Sequence, residues 1–329
     1  MIVFSNMSRP KYIDAHTHAH FAAFKDDYKE VIERALDAGV SVINVGTQKD
    51  TSARAVEVAH EFLENVWAVV GLHPIHTEKS YHDPQELGSL DSASISNSRE
   101  LENKGEMGLS RSTLQDFSEK NLEGFTSRGE DFDYEYYKRL ALDPKTVAIG
   151  ECGLDYYHVT RNMKHEASAQ RQKEAFVKQI ELAYDVKKPL MIHCRDAFSD
   201  LVKVLEENKS RLNDKPGIVH FFSGTVEDAK KLLDLGFYFT FGGVITFPPK
   251  EGQPPAGAYS EVIKMIPMDR LLSETDAPYV TPVPFRGKRN EPAYVVYVVR
   301  KLAELKGVSE EVMAEQIWGN AEQVLGVRL

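Results

Sequence analysis

Eight short apolar runs recur along the chain, separated by segments whose apolar residues have helical spacing. The runs fall at residues 12–14, 41–45, 67–70, 146–149, 189–192, 217–219, 237–241 and 270–272. A strand with one wet face would alternate apolar and polar residues. Nearly all of these runs are instead continuously hydrophobic, so they read as strands buried on both sides. Helical segments lie between them at 26–38, from a cap at Thr51 or Ser52 to about residue 65, at 170–186 and 198–207, from a Thr225 cap to just before Gly236, and at 259–265. Parallel strands covered by helices give this alternation, and eight of them favour closure into a (β/α)8 TIM barrel over an open sheet.

All 329 residues are read as one barrel domain. Helices at 291–306 and 310–317, with a final turn at 320–325, pack outside it or finish it. One stretch breaks the rhythm. Between residues 76 and 143, and most of all at 91–129, the chain turns polar and rich in Ser, Asn and Glu. That length exceeds an ordinary connection, and the apolar content is too low for a second core. The stretch is expected to be a surface insertion after the third strand, over the barrel mouth, anchored by Phe132, Tyr134, Tyr136 and Tyr137.

A parallel barrel brings the C-terminal ends of all its strands to one rim. His16 and His18 follow the first run, Glu151 the fourth, His193 the fifth, His220 the sixth and Asp276 the eighth. Residues as far apart as 16 and 276 therefore converge on one cavity. Imidazoles and carboxylates together are ligands for borderline or hard divalent cations. His16 and His18 stand two apart, so on extended backbone they share a face, with Cα atoms roughly 6.6 Å apart. Asp14 has the same parity and would ligate or orient a histidine. A His-x-His pair carries little weight alone; the four further candidates at strand ends supply it.

The formal net charge of -10 argues against broad adhesion to a nucleic-acid backbone, but not against one phosphate held by cations in a cleft. Two cysteines, Cys152 and Cys194, are too few for a thiolate-only zinc site. Each neighbours a candidate ligand on a strand, where adjacent side chains point oppositely, so both are expected to pack behind the site. The chain has no apolar run of membrane-spanning length and no basic-then-apolar leader, which makes the cytoplasm the expected location. A phosphate-binding glycine loop and a His-Glu-x-x-His helix are missing, and Ser223 lacks the glycine of a nucleophile elbow.

At these residues the chain resembles the TatD family of metal-dependent deoxyribonucleases, within the amidohydrolase-like superfamily. The resemblance is carried by Ile13-Asp14-Ala15-His16-Thr17-His18, Gly71-Leu72-His73-Pro74, Ile149-Gly150-Glu151-Cys152-Gly153-Leu154-Asp155-Tyr156 and His193-Cys194-Arg195-Asp196-Ala197. It continues through His220-Phe221-Phe222-Ser223-Gly224, Glu274-Thr275-Asp276-Ala277-Pro278-Tyr279, Arg286-Gly287-Lys288-Arg289-Asn290-Glu291-Pro292 and Gly319-Asn320-Ala321. Cys194, where the family commonly has a small hydroxyl residue, and the long insertion depart from the pattern.

The resemblance implies two divalent metal ions, one held by His16, His18 and Asp276, the second by His193 and His220, with Glu151 bridging. Mg2+ or Mn2+ is the implied working ion, and Zn2+ the alternative that four histidines suit. The implied activity is hydrolysis of DNA phosphodiester bonds as an exonuclease, by attack of a metal-bound water that Asp276 orients and deprotonates. DNA would be bound by its end, without a stable sequence-specific complex, by a monomer or weak homo-oligomer that does not engage membranes. His73 and Arg195 are candidates for the substrate phosphate, although Arg195 could equally order the rim by pairing with Asp196 or Glu151. Tyr156 is a candidate for stacking on a base, and Arg286, Lys288 and Arg289 form a local basic patch. The rival readings are a hydrolase of a small phosphoester, amide or lactone on the same barrel, and a non-catalytic binding protein of this fold.

Overall fold

The computed structural model describes residues 10–78, 84–87, 129–159, 165–249 and 257–328. Its eight strands are β1 (Tyr12–Thr17), β2 (Val40–Val45), β3 (Val66–Val70), β4 (Thr146–Asp155), β5 (Leu190–Arg195), β6 (Gly217–Val219), β7 (Tyr238–Phe241) and β8 (Leu271–Ser273). They form one sheet in sequential order with parallel pairing from β1 to β8. Backbone bonds at the C-terminal end of β1 join it to the segment that follows β8: Asp276 N–H donates to the His16 carbonyl at 2.9 Å, and His18 N–H to the Ala277 carbonyl at 2.8 Å. The (β/α)8 barrel expected from the alternation is the fold observed.

Strand residues such as Ile13, Val42, Val69, Ile149, Ile192 and Leu272 are fully buried in one continuous apolar core. Helices Tyr28–Asp37, Lys49–Glu61, His165–Val186, Phe198–Glu207, Val226–Asp234 and Tyr259–Met265 cover it, and Val295–Lys306 and Glu310–Leu325 complete the layer. Among the described residues, no helix is long and apolar enough to cross a membrane.

Three local expectations are corrected. Helix Lys49–Glu61 is capped by Gln48, while Thr51 sits at its third position and returns the bond, its hydroxyl accepting the Gln48 N–H at 3.1 Å. The last helix runs unbroken through Gly319 to Leu325, because Trp318 and Ala321 bury on either side and Asn320 donates to the carbonyls of Met268 and Leu271 at 2.8 and 2.7 Å. That packing outweighs the roughly 1 kcal/mol by which glycine disfavours a helix. Finally, β4 extends to Asp155, so Glu151 lies within a strand rather than after one.

The insertion separates β3 from β4. Most of its expected polar stretch, residues 91–128, lies outside the described residues. Its ends are tied to the rim beside β2. On the way in, Glu86 accepts from Thr47, from Gln48 at 2.8 Å, and pairs with His76 at 3.1 Å. On the way out, Glu130 accepts the Lys49 N–H and the Tyr137 hydroxyl. Phe132 and Tyr137 are buried and stacked at 4.8 Å, while Tyr134 and Tyr136 are half-buried, so the expected aromatic anchors hold this end on the barrel.

Candidate active site

Close packing of β4 against β5 brings Glu151 into the barrel. A Cβ on Gly150 would lie 2.4 Å from the Met191 carbonyl, so only glycine allows the strands to approach this closely beside the glutamate. Glu151 is buried at the mouth, and its two carboxylate oxygens face different histidines.

On one side, Glu151 Oε2 lies 3.4 Å from His16 Nε2 and 3.8 Å from His18 Nε2. Those two nitrogens are 3.3 Å apart, and Asp276 Oδ1 is 3.3 Å from His18 Nε2 and 3.8 Å from His16 Nε2. On the other side, Glu151 Oε1 lies 3.0 Å from His193 Nδ1 and 2.8 Å from His220 Nε2, which are 3.3 Å from each other. Two donors at the usual bond length of about 2.0 to 2.2 Å are separated by about 3.0 Å at a right angle and about 3.4 Å at a tetrahedral angle. The separations around His193 and His220 lie close to that spacing, those around His16 and His18 reach 3.8 Å, and the donors are the types a divalent cation takes.

The histidines are aimed by the atoms behind them. His18 Nδ1 bonds the Val45 carbonyl at 2.7 Å, leaving Nε2 as the lone pair that faces the site. His193 is turned the other way, with Nε2 3.3 Å from Asp155 Oδ2 and Nδ1 inward. His220 Nδ1 faces Glu274 Oε2 at 3.6 Å, and that oxygen accepts from the Thr240 hydroxyl at 2.6 Å. A carboxylate behind a ligating imidazole fixes its tautomer and raises its basicity.

The sequence matches the TatD related DNase family over residues 13–326. The chain belongs to the TatD family. It is 35% identical over 315 residues to a metal-dependent hydrolase of Bacillus subtilis, YabD, covering 95% of this chain and 98% of that one. It is 29% identical over 309 residues to the 3'-5' ssDNA/RNA exonuclease TatD of Pantoea ananatis, covering 92% and 95%. Among solved structures, the TatD homologue YjjV of Escherichia coli K12 superposes with a TM-score of 0.69 at 25% identity, covering 98% of this chain and 100% of that one.

Electrostatics in this TatD-family site favour the anions. Burial pushes the Glu151 carboxyl up, but His73, His220 and His16 outweigh it and hold it well below the usual carboxylate range. Burial likewise opposes ionisation of Asp276, and its bond to His18 with the charge of His16 reverses the balance. Both acids are therefore ionised at neutral pH. Burial lowers His16; it pulls His18 and His193 down as well, but Asp276 raises His18 above its ordinary value and Asp155 with Glu151 raises His193.

The remaining candidates fall into three places. His73 also reaches Glu151 Oε1, at 3.2 Å, and with Glu151 and His193 forms a further set of donors within ligand range. Its Nδ1, however, accepts the Ile75 N–H at 3.2 Å, and burial lowers its pKa to about 4. The ring is thus neutral with its proton on Nε2, facing the carboxylate. Arg195 pairs with neither Asp196 nor Glu151: its guanidinium lies 3.7 Å over the Tyr157 ring. Tyr156 donates its hydroxyl to Asp200 at 2.7 Å and leaves its ring half-buried.

Asp14 is drawn away from the ligand atoms. Its carboxylate accepts the Thr275 N–H at 2.8 Å and the Thr275 hydroxyl, across the seam between β1 and β8. Cys152 and Cys194 are free and buried, with Cys152 directed at the Ile149 and Met191 carbonyls. Glu274, not among the residues expected from sequence, also forms a donor group with His16 and His220. The signal available was its shared parity with Asp276 in Glu274-Thr275-Asp276.

Proposed function

We propose that this protein is a divalent-metal-dependent deoxyribonuclease that trims DNA from an end. The observation that carries the reading is Glu151, whose two oxygens each face their own pair of imidazole nitrogens, with Asp276 completing one side. His16, His18 and Asp276 would hold one ion, His193 and His220 the other, and Glu151 both. Bound there, Mg2+ or Mn2+, or Zn2+ in its place, supplies Lewis acidity to a phosphodiester and to the water that attacks it.

The chain's own groups do the rest. Asp276 is ionised and its side chain is 19% exposed, so the oxygen turned from His18 can orient a water and take its proton. The neutral His73 Nε2–H, 3.2 Å from Glu151 Oε1, would be released to a phosphate oxygen that gathers charge when Glu151 holds the ions. Arg195, held over the Tyr157 ring, keeps N–H donors for a phosphate. Tyr156, half-buried after β4, is the candidate for stacking on a terminal base. A net charge of -10 limits binding away from this cleft, which suits end recognition without a stable sequence-specific complex. Two free, buried cysteines agree with a reducing compartment, and we assign the protein to the cytoplasm.

The test is a metal-reconstituted assay offering end-labelled single- and double-stranded DNA, RNA and a small phosphodiester, with Glu151→Gln as control. Progressive shortening of labelled DNA, lost in the control, is expected. Intact DNA with turnover of the small substrate would overturn the nuclease reading in favour of a small-molecule hydrolase.

A further inference from the structure

The loop that leaves the site at Asp276 is held rigidly. Tyr279 N–H donates to the Asp276 carbonyl at 2.9 Å, and Asn290, fully buried, donates to the carbonyls of Thr275 and Tyr279 at 2.9 and 2.6 Å. Between these ends, Phe285 N–H bonds the Pro282 carbonyl at 2.8 Å, Val283 N–H bonds the Thr246 hydroxyl at 2.9 Å, and Thr281 bonds the Lys288 carbonyl. Gly287 makes the turn at φ +82°, a conformation glycine adopts without strain.

The charges on this loop differ in how they are used. Arg289 is consumed by Asp27 and the Ala23 carbonyl. The neighbouring Arg34 and Arg300 pair with Glu291 and Glu310. Arg286 and Lys288 are exposed and have no carboxylate partner among the described residues. Each lies over an aromatic ring instead: Arg286 is 4.2 Å from the centre of Phe247, and Lys288 is 5.6 Å from that of Phe285. Phe285 is itself braced by Tyr294, stacked at 4.3 Å. A ring face steadies a cation without neutralising it or occupying its donors.

We propose that Arg286 and Lys288 form a binding track for the sugar-phosphate backbone of single-stranded DNA beyond the phosphate at the catalytic centre. This rests on the nuclease reading. An acidic protein places two uncompensated cations on a pre-ordered loop that starts at a candidate metal ligand, and a polyanion leaving that centre is the partner their charge complements. Because the loop is already fixed, little ordering entropy opposes the contact. The track acts on nucleotides away from the cleaved bond, so it governs how tightly a strand is held and not the chemistry of a minimal substrate.

The experiment measures fluorescence anisotropy of a labelled single-stranded oligonucleotide with EDTA-treated protein over a salt series, for wild type and Arg286→Ala/Lys288→Ala. Lys203→Ala/Lys230→Ala removes equal charge from the outer helices as a control. Each phosphate contact contributes about 0.7 to the slope of log affinity against log salt for single strands. The track variant should therefore show a slope lower by about 1.4, with the control close to wild type. In metal-loaded assays its KM for a long oligonucleotide should rise about tenfold while turnover of a dinucleotide is unchanged. A track variant with the wild-type slope and KM, or one matched by the control, overturns the track while leaving nuclease activity intact. A wild type that neither binds nor cleaves any oligonucleotide overturns the nuclease reading itself.

Discussion

Asp14 and Thr275, 261 positions apart in the chain, meet across the seam between β8 and β1, where the Asp14 carboxylate accepts both the backbone N–H and the hydroxyl of Thr275. The same carboxylate receives the His16 N–H at 3.4 Å. One buried side chain thus joins the first strand to the segment that carries Asp276, one residue beyond Thr275. Asp14→Leu should leave the Thr275 N–H without an acceptor in a fully buried position and cost about 2 to 4 kcal/mol. Asp14→Asn keeps a carbonyl oxygen there and should lose less than half of that. Urea unfolding of the two variants checks the ranking; equal stability of Asp14→Leu and wild type would contradict the seam role.

Glu274 should act through His220. Its Oε2 lies behind His220 Nδ1, and Oε1 is buried with no hydrogen-bond partner among the described residues. Glu274→Gln is expected to weaken divalent-metal binding about 10- to 100-fold, the usual cost of losing a carboxylate behind a ligating histidine. Isothermal titration with Mn2+ measures this. Unchanged affinity would remove Glu274 from the support of the site.

The eight strands were legible because their apolar runs are continuous, and observed strands such as β2 are buried at every position. Placing His16, His18, Glu151, His193, His220 and Asp276 at one mouth followed from that alone. What the sequence could not reveal depended on partners that the pattern does not specify, most of them distant in the chain. Asp14 has the parity of a ligand, and its commitment to Thr275 appears only when β8 closes on β1. Thr51 looks like a helix cap until Gln48, one turn earlier, takes that role. Gln172 bonds both backbone groups of Asp155, and Gln179 those of Leu72, so one helix pins the ends of β3 and β4 beside His73 and His193. Nothing in a helical glutamine announces that.

Glu86 ties the entering arm of the insertion to the barrel in a pH-dependent way. Burial alone would raise its pKa, but His76, Thr47 and Gln48 hold it down at about 2 against an ordinary 4.5. An acid depressed in the folded state stabilises above its unfolded pKa and loses that contribution as pH falls toward the folded value. At neutral pH the depression corresponds to about 3 kcal/mol, an upper bound set by the 1.36 kcal/mol per pKa unit. Glu86→Gln should therefore be destabilised at pH 7, and its deficit against wild type should shrink by more than half at about pH 3, between the two pKa values. Chemical denaturation at both pH values decides it; a deficit independent of pH would mean that the ionised form is not what stabilises the arm.

The shared carboxylate is the centre of the account, and Glu151→Gln tests it most directly when metal content and DNA cleavage are measured on the same samples. Wild type reconstituted with Mn2+ should bind two ions per chain and shorten end-labelled DNA. Glu151→Gln should lose bound metal on both sides and cleave at least about 100-fold more slowly, since one residue faces both donor sets. A Glu151→Gln protein that keeps both ions and full activity would contradict the account.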